Sequence, residues 1–136
     1  MTHQNQYIVT KRFKQKAICG DLNLPFGTKC FSKDNGLYCD KGLICSITSQ
    51  NAYDFFTYNN DGSAQLRRTL IDTILHNLDR STQTPESYDN KWDKVWNDSL
   101  CNKYKREDYD DYWLWNHDFY HASIQDLEYI KTLTNN

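Results

Sequence analysis

A change of hydrophobic period near residue 49 limits what this chain can fold into. Up to about residue 48, apolar and β-branched residues come in short alternating runs broken by turn residues. Beyond it they recur every three to four positions. Tyr7-Ile8-Val9-Thr10 is aromatic and β-branched, as strands prefer. Residues 13–19 extend the pattern, with Ala17 and Cys19 on one face and Ile18 on the other. Residues 21–27 read as a loop in which Pro25 and Gly27 suit a tight turn. Three short strands follow at about 28–32, 37–39 and 43–48. The separators Lys33-Asp34-Asn35-Gly36 and Asp40-Lys41-Gly42 read as hairpin turns, each with a glycine available for positive φ.

The second half is helical in pattern. Ser49 can cap a helix through about residue 57, with Ala52, Phe55 and Phe56 inward. A longer helix at about 63–80 carries Leu66, Leu70, Ile71, Ile74, Leu75 and Leu78 on one stripe. Pro85 opens a third, about 86–98, with Tyr88, Trp92, Val95 and Trp96 on one face. A fourth is expected at about 107–120. Ser123 caps the last, which carries Ile124, Leu127, Ile130 and Leu133. Strands first and helices after predict an α+β fold: a small antiparallel sheet or partial barrel, then four to five α-helices. The 136 residues fit a single domain, 1–136, with a sheet part at about 7–48 and a helical part at about 49–136. A rich supply of rings (ten Tyr, six Phe, four Trp) makes the core an aromatic one.

Five cysteines without a secretory leader point to free thiols or a metal site before a disulfide framework. A four-residue loop at 33–36 would set Ser32 opposite Leu37 and Cys30 opposite Cys39. A three-residue loop at 40–42 would set Cys39 opposite Leu43 and put Cys45 on the same face. Zinc takes four ligands, usually Cys or His. Cys30, Cys39 and Cys45, completed by Cys19, are the candidate set for a structural zinc. Cys101 or a histidine is the alternative fourth ligand. His117 and His121 lie four apart, and with Cys101 they make the string C-x15-H-x3-H.

The most unusual stretch is 107–118, with five carboxylates and four large rings in twelve residues. On a helix, Asp108, Asp111 and Trp115 would line one outer face with Tyr112 beside it. Asp108, Asp110, Asp111, Tyr112 and Trp115 are therefore the candidate partner-binding residues. Such a face complements a cationic groove on a protein. The charge is unevenly spread: residues 1–85 hold ten Lys/Arg and seven Asp/Glu, residues 86–136 six and eleven. Lys11, Arg12, Lys14 and Lys16, with Arg67 and Arg68, form a basic end that could meet phosphate. No G-x-S-x-G, H-E-x-x-H or phosphate-cradling glycine loop occurs. The chain is expected to bind a macromolecule and not to be an enzyme. It has no membrane-length apolar run and no leader, so the expected setting is cytoplasmic.

Four segments carry a resemblance: KRFKQKAICGDLNLPFGT (11–28), CSITSQNAYDFF (45–56), KWDKVWNDSLCNKYKR (91–106) and DYWLWNHDFYHASIQDLEYI (111–130). They resemble small proteins encoded by phages, prophages and mobile elements of Gram-positive bacteria. Some proteins of that kind are anti-CRISPR inhibitors of the type II effector nuclease. The resemblance implies a zinc-containing inhibitor of type II-A, acting as a monomer in the host bacterial cytoplasm. Its partner would be the RNA-guided effector nuclease, with no direct nucleic-acid binding and a block of DNA loading or cleavage. Cys19, Cys45, Cys101 and His117 look more typical of the family than Cys39 and His121. The alternative expectation is a phage regulatory or nucleic-acid-binding protein with a structural zinc site.

Overall fold

Seven strands, all within the first 58 residues, precede all but one of five α-helices in a computed structural model that describes residues 6–59, 62–104 and 117–135. The fold is α+β, with more strands than the five expected. The chain divides into two compact units, Met1–Arg68 and Thr69–Asn136. The division falls twenty residues beyond the end of the expected sheet part. Among the described residues no helix is long and apolar enough to cross a membrane.

In the first unit, strands β1 (Gln6–Val9), β4 (Lys29–Lys33), β5 (Gly36–Cys39), β6 (Gly42–Ser46) and β7 (Phe56–Tyr58) form an antiparallel sheet. Its order is β6-β5-β4-β1-β7. Strands β2 (Phe13–Ala17) and β3 (Gly20–Leu24) form a separate two-stranded ribbon. The ribbon's turn is tied to the sheet through Ile18 N–H to Ile44 C=O and Cys19 N–H to Leu43 C=O, both 2.9 Å.

Three sequence expectations change here. Residues 20–24 are a strand and not a loop, because Leu22 and Leu24 alternate inward and register with Gln15 and Phe13. Ile18 and Cys19 are then the two-residue turn, and Ile18 is 67% exposed. Residues 56–58 leave the first helix, α1 (Gln50–Phe55), and become β7. Phe56-Thr57-Tyr58, aromatic and β-branched, fills the open edge of β1, pairing Val9 with Phe56 and Tyr7 with Tyr58. In the β4–β5 turn the positive φ falls on Asp34 (50°) and Asn35 (64°), a type I′ hairpin, while Gly36 pairs with Lys33. Gly36 is needed for room instead: a Cβ there would stand 2.7 Å from Leu43 Cδ1.

Phe13 anchors this core, fully buried with Phe55 edge-on at 5.2 Å and Phe56 at 5.4 Å. Ser49 caps α1 by accepting from Ala52 N–H, as expected.

The second unit is helical. Helix α2 (Ala64–Asn77) crosses the division and ends three residues short of expectation, at a 3₁₀ turn, Arg80–Thr82, that Asp79 caps through Ser81 N–H. Helix α3 (Pro85–Asn97) has Thr84 as its cap and Pro85 in its first turn. A short helix α4 (His117–Tyr120) precedes α5 (Ile124–Thr134), where the Ser123 side chain accepts from Asp126 N–H. Leu70, Ile71, Ile74, Val95, Phe119, Leu127 and Ile130 build a largely aliphatic core. Most of the expected helix 107–120 lies outside the described residues.

Candidate functional site: an acidic helix face and a buried thiol group

The described carboxylates of the second unit include two kinds. Asp98 and Asp126 are used internally. Asp98 accepts from Tyr129 Oη (2.5 Å) and from the backbone N–H groups of Leu100 (2.9 Å) and Cys101 (3.1 Å). Asp126 accepts from Tyr104 Oη (2.5 Å) and pairs with Lys103 Nζ at 3.1 Å. These phenols hold both carboxyls below the usual carboxylate range, with the backbone donors and Lys103 adding to the effect.

Glu86, Asp89 and Asp93 are the other kind. They sit on α3 at spacings of three and four, which stacks them on one face. All three are exposed, and no hydrogen bond or ion pair holds their carboxylates among the described residues. Trp96 continues the row three residues on and is 40% exposed. The opposite face of α3 buries Tyr88, Lys91 and Val95. Trp96 had been expected inward with them; Lys91 takes that side, its ammonium donating to Asn77 C=O at 3.2 Å. The acidic row stands in the sequence as E-x2-D-x3-D before a Trp and was not among the expected sites. The expected partner-binding residues Asp108, Asp110, Asp111, Tyr112 and Trp115 lie outside the described residues.

Charge follows the two units. Met1–Arg68 carries nine Lys/Arg against five Asp/Glu, net +4; Thr69–Asn136 carries seven against thirteen, net −6. The expected basic end divides. Arg67 is buried over the Tyr58 ring at 5.4 Å, and Arg68 donates to Tyr53 C=O at 2.5 Å. Lys11, Arg12, Lys14 and Lys16 remain exposed.

Four of the five thiols are buried and all five are free. Ser32 faces Leu37 as expected, Phe31 faces Tyr38, and one further step of that register opposes Cys30 to Cys39. The next turn departs from expectation. Only Asp40 and Lys41 form the loop, Cys39 faces Gly42, and Leu43 faces Tyr38. A bulge between Leu37 and Tyr38 then sets Cys45 opposite Leu37. Cys30, Cys39 and Cys45 thus share the buried face of the sheet. Burial pushes the Cys30 thiol up to about 12, with Cys39, Asp40 and Cys45 adding to it. Burial also raises Cys45, against a hydrogen bond from Ser49.

Cys19, the expected fourth ligand, is exposed, unlike the other three. It lies on the exposed ribbon turn against Gly42, where an added Cβ would stand 3.2 Å from its own. Among the described residues no group of three or more Cys, His, Asp or Glu is placed to hold a metal ion. The three sheet thiols lie among the buried apolar side chains of the first unit's core. Cys101 is buried in the second unit's core, and His121 follows α4 in a turn closed by its N–H to Asp118 C=O.

No family of known proteins, no curated protein and no solved structure matches the chain.

Proposed function

We propose that this chain is a binding protein whose acidic second unit docks on a cationic protein groove. The partner implied by the sequence resemblance is the RNA-guided type II effector nuclease. The observation that carries the reading is the row Glu86, Asp89, Asp93 and Trp96: three carboxylates without internal partners beside a half-exposed ring. A carboxylate that stabilised the fold would resemble Asp98 or Asp126, with phenol or backbone donors around it. These three do not. Exposed like charges repel one another and gain most when a cationic surface meets them. An exposed Trp supplies the large, rigid contact that protein interfaces favour.

Such nucleases hold nucleic acid in positively charged channels that read its backbone. An acidic face can occupy one of those channels and exclude DNA. The run 107–118 adds five further carboxylates to the same unit.

Purified chain should be captured by the effector nuclease and should slow its cleavage of target DNA, tested with and without guide RNA. E86Q/D89N/D93N should weaken capture about tenfold, or ~1.4 kcal/mol, and flatten its dependence on salt. D108N/D110N/D111N should act in the same direction. Full inhibition by both variants would discard the acidic-face mode. Failure of the unsubstituted chain to bind the nuclease would discard the partner.

A further inference from the structure

The first unit bears a second charged surface of opposite sign. In β2 the core takes Phe13 and Ala17, so Lys14 and Lys16 stand on the other face of the ribbon. Arg12, just before the strand, joins that face by donating to Asn23 Oδ1 at 3.4 Å, and Asn23 is the partner of Lys14 across the ribbon. Lys16 faces Asp21, yet the two form no ion pair, and neither lysine has a hydrogen-bond partner among the described residues. All three cations are exposed. Alternate strand residues lie ~6.6–6.8 Å apart, so Lys14 and Lys16 stand about that far apart along the strand, with Arg12 beside Lys14 through its bond to Asn23.

We infer that this cationic face binds the phosphate backbone of a nucleic-acid strand. The spacing decides the class of partner. Successive phosphates rise at least ~3.4 Å each along a stacked strand and more when it is extended, so a strand can set a phosphate against each cation in turn. An acidic protein surface fits less well. Protein interfaces place an apolar centre inside a polar rim, whereas the residues across the ribbon from Lys14 and Lys16 are the polar Asn23 and Asp21. The chain's net charge of −2 would by itself repel a nucleic acid, so any attraction has to be local. The inference does not depend on the nuclease as partner, since the strand can be offered alone.

The test is fluorescence anisotropy of the full chain with three labelled probes: a 20-nucleotide single-stranded RNA, the DNA of the same sequence, and a polyglutamate peptide. Potassium chloride runs from 20 to 200 mM. Three phosphate contacts give a slope of log K against log salt of about −2. K14E/K16E should weaken binding at least tenfold. K29E/K41E makes the same charge change at exposed sites of the first unit outside the ribbon and should stay within twofold. Both variants change exposed residues only, and circular dichroism checks that each is folded. Binding of either nucleic acid on this pattern supports the inference, and the RNA-to-DNA ratio names the strand. Three results overturn it: no binding at 20 mM salt, equal loss in both variants, or polyglutamate held as tightly as RNA.

Discussion

The two units solve the same problem, burying apolar surface, with opposite materials. The first closes a sheet over a ring-centred core of Phe13, Phe55, Phe56, Tyr7 and Tyr58, with three thiols filling the small spaces. Its order comes from pairings between distant residues, such as Val9 with Phe56. The second packs helices mainly through Ile, Leu and Val, and starts three of its helical segments with local caps: Asp79, Thr84 and Ser123. The charges separate along the same division, +4 against −6. The exposed carboxylate row and the exposed lysine row can therefore serve different partners without sharing a unit.

All four tryptophans, at 92, 96, 113 and 115, belong to the second unit, so their fluorescence reports on it alone. The largest effect expected is from Phe13→Ala. Phe13 is fully buried between two rings, and its removal should cost the first unit ~3–5 kcal/mol. Far-ultraviolet circular dichroism should show strand structure melting earlier while the tryptophan midpoint holds. A tryptophan midpoint that moved by the same amount would show the two units unfolding together, and the contrast between them would fail.

Much of this contrast was legible in the sequence. The change of period located strands and helices because side-chain alternation and the 3.6-residue stripe are set by backbone geometry. Caps Ser49 and Ser123, the proline start of α3 and the Lys33–Gly36 hairpin were each readable for the same local reason. What escaped depended on distant neighbours. Strand β7 is a strand only because β1 has an open edge. Residues 21–24 pair only because the turn falls on Ile18 and Cys19. The bulge that brings Cys45 opposite Leu37 has no composition signal at all. At the candidate site, counting carboxylates favoured 107–118. Among the described residues, Glu86, Asp89 and Asp93 form a helical row of exposed carboxylates without internal partners, and that lack of partners is visible only in coordinates.

The next effect in size separates the units by pH. Asp98 and Asp126 have lowered pKa values, so the stability they lend is present above the ordinary carboxylate range, ~4, and is lost as pH falls through their folded values. Tryptophan fluorescence should register acid unfolding of the second unit, and D98N/D126N should flatten that acid limb. Cys30 runs the other way. Its raised pKa lends stability that is complete below the ordinary thiol value, ~8.5, and fades as pH climbs toward about 12. Cys30→Ala should shallow the alkaline slope of the far-ultraviolet signal whatever it does to stability at pH 7. An unchanged slope would mean that this thiol ionises as freely in the folded chain as in the unfolded one.

Gly36→Ala acts on the sheet unit through crowding. The new Cβ would lie 2.7 Å from Leu43 Cδ1, 3.0 Å from Tyr38 Cε1 and 3.3 Å from the Lys33 carbonyl oxygen. Leu43 can yield but the backbone oxygen cannot, so a loss of ~1–2 kcal/mol in the first unit is expected from thermal melting. A neutral result would show that the β5–β6 hairpin opens without cost.

The smallest effect tests the turn of the neighbouring β4–β5 hairpin, and its sign is opposite. Asp34 and Asn35 both occupy left-handed backbone, at φ 50° and 64°, which side chains other than glycine adopt at some cost. A type I′ turn favours Asn at the first position and Gly at the second. D34N/N35G keeps the Asn35 carbonyl oxygen that accepts from Ile47 N–H at 2.9 Å, because that bond is made by backbone alone. The double substitution should stabilise the first unit by ~0.5 kcal/mol, the relief of strain slightly exceeding the freedom that glycine adds to the unfolded chain. The tryptophan transition of the helical unit should stay where it is. A destabilised sheet would mean that the Asp34 or Asn35 side chain holds the turn, and hairpin geometry would then have to be argued from side chains instead of backbone.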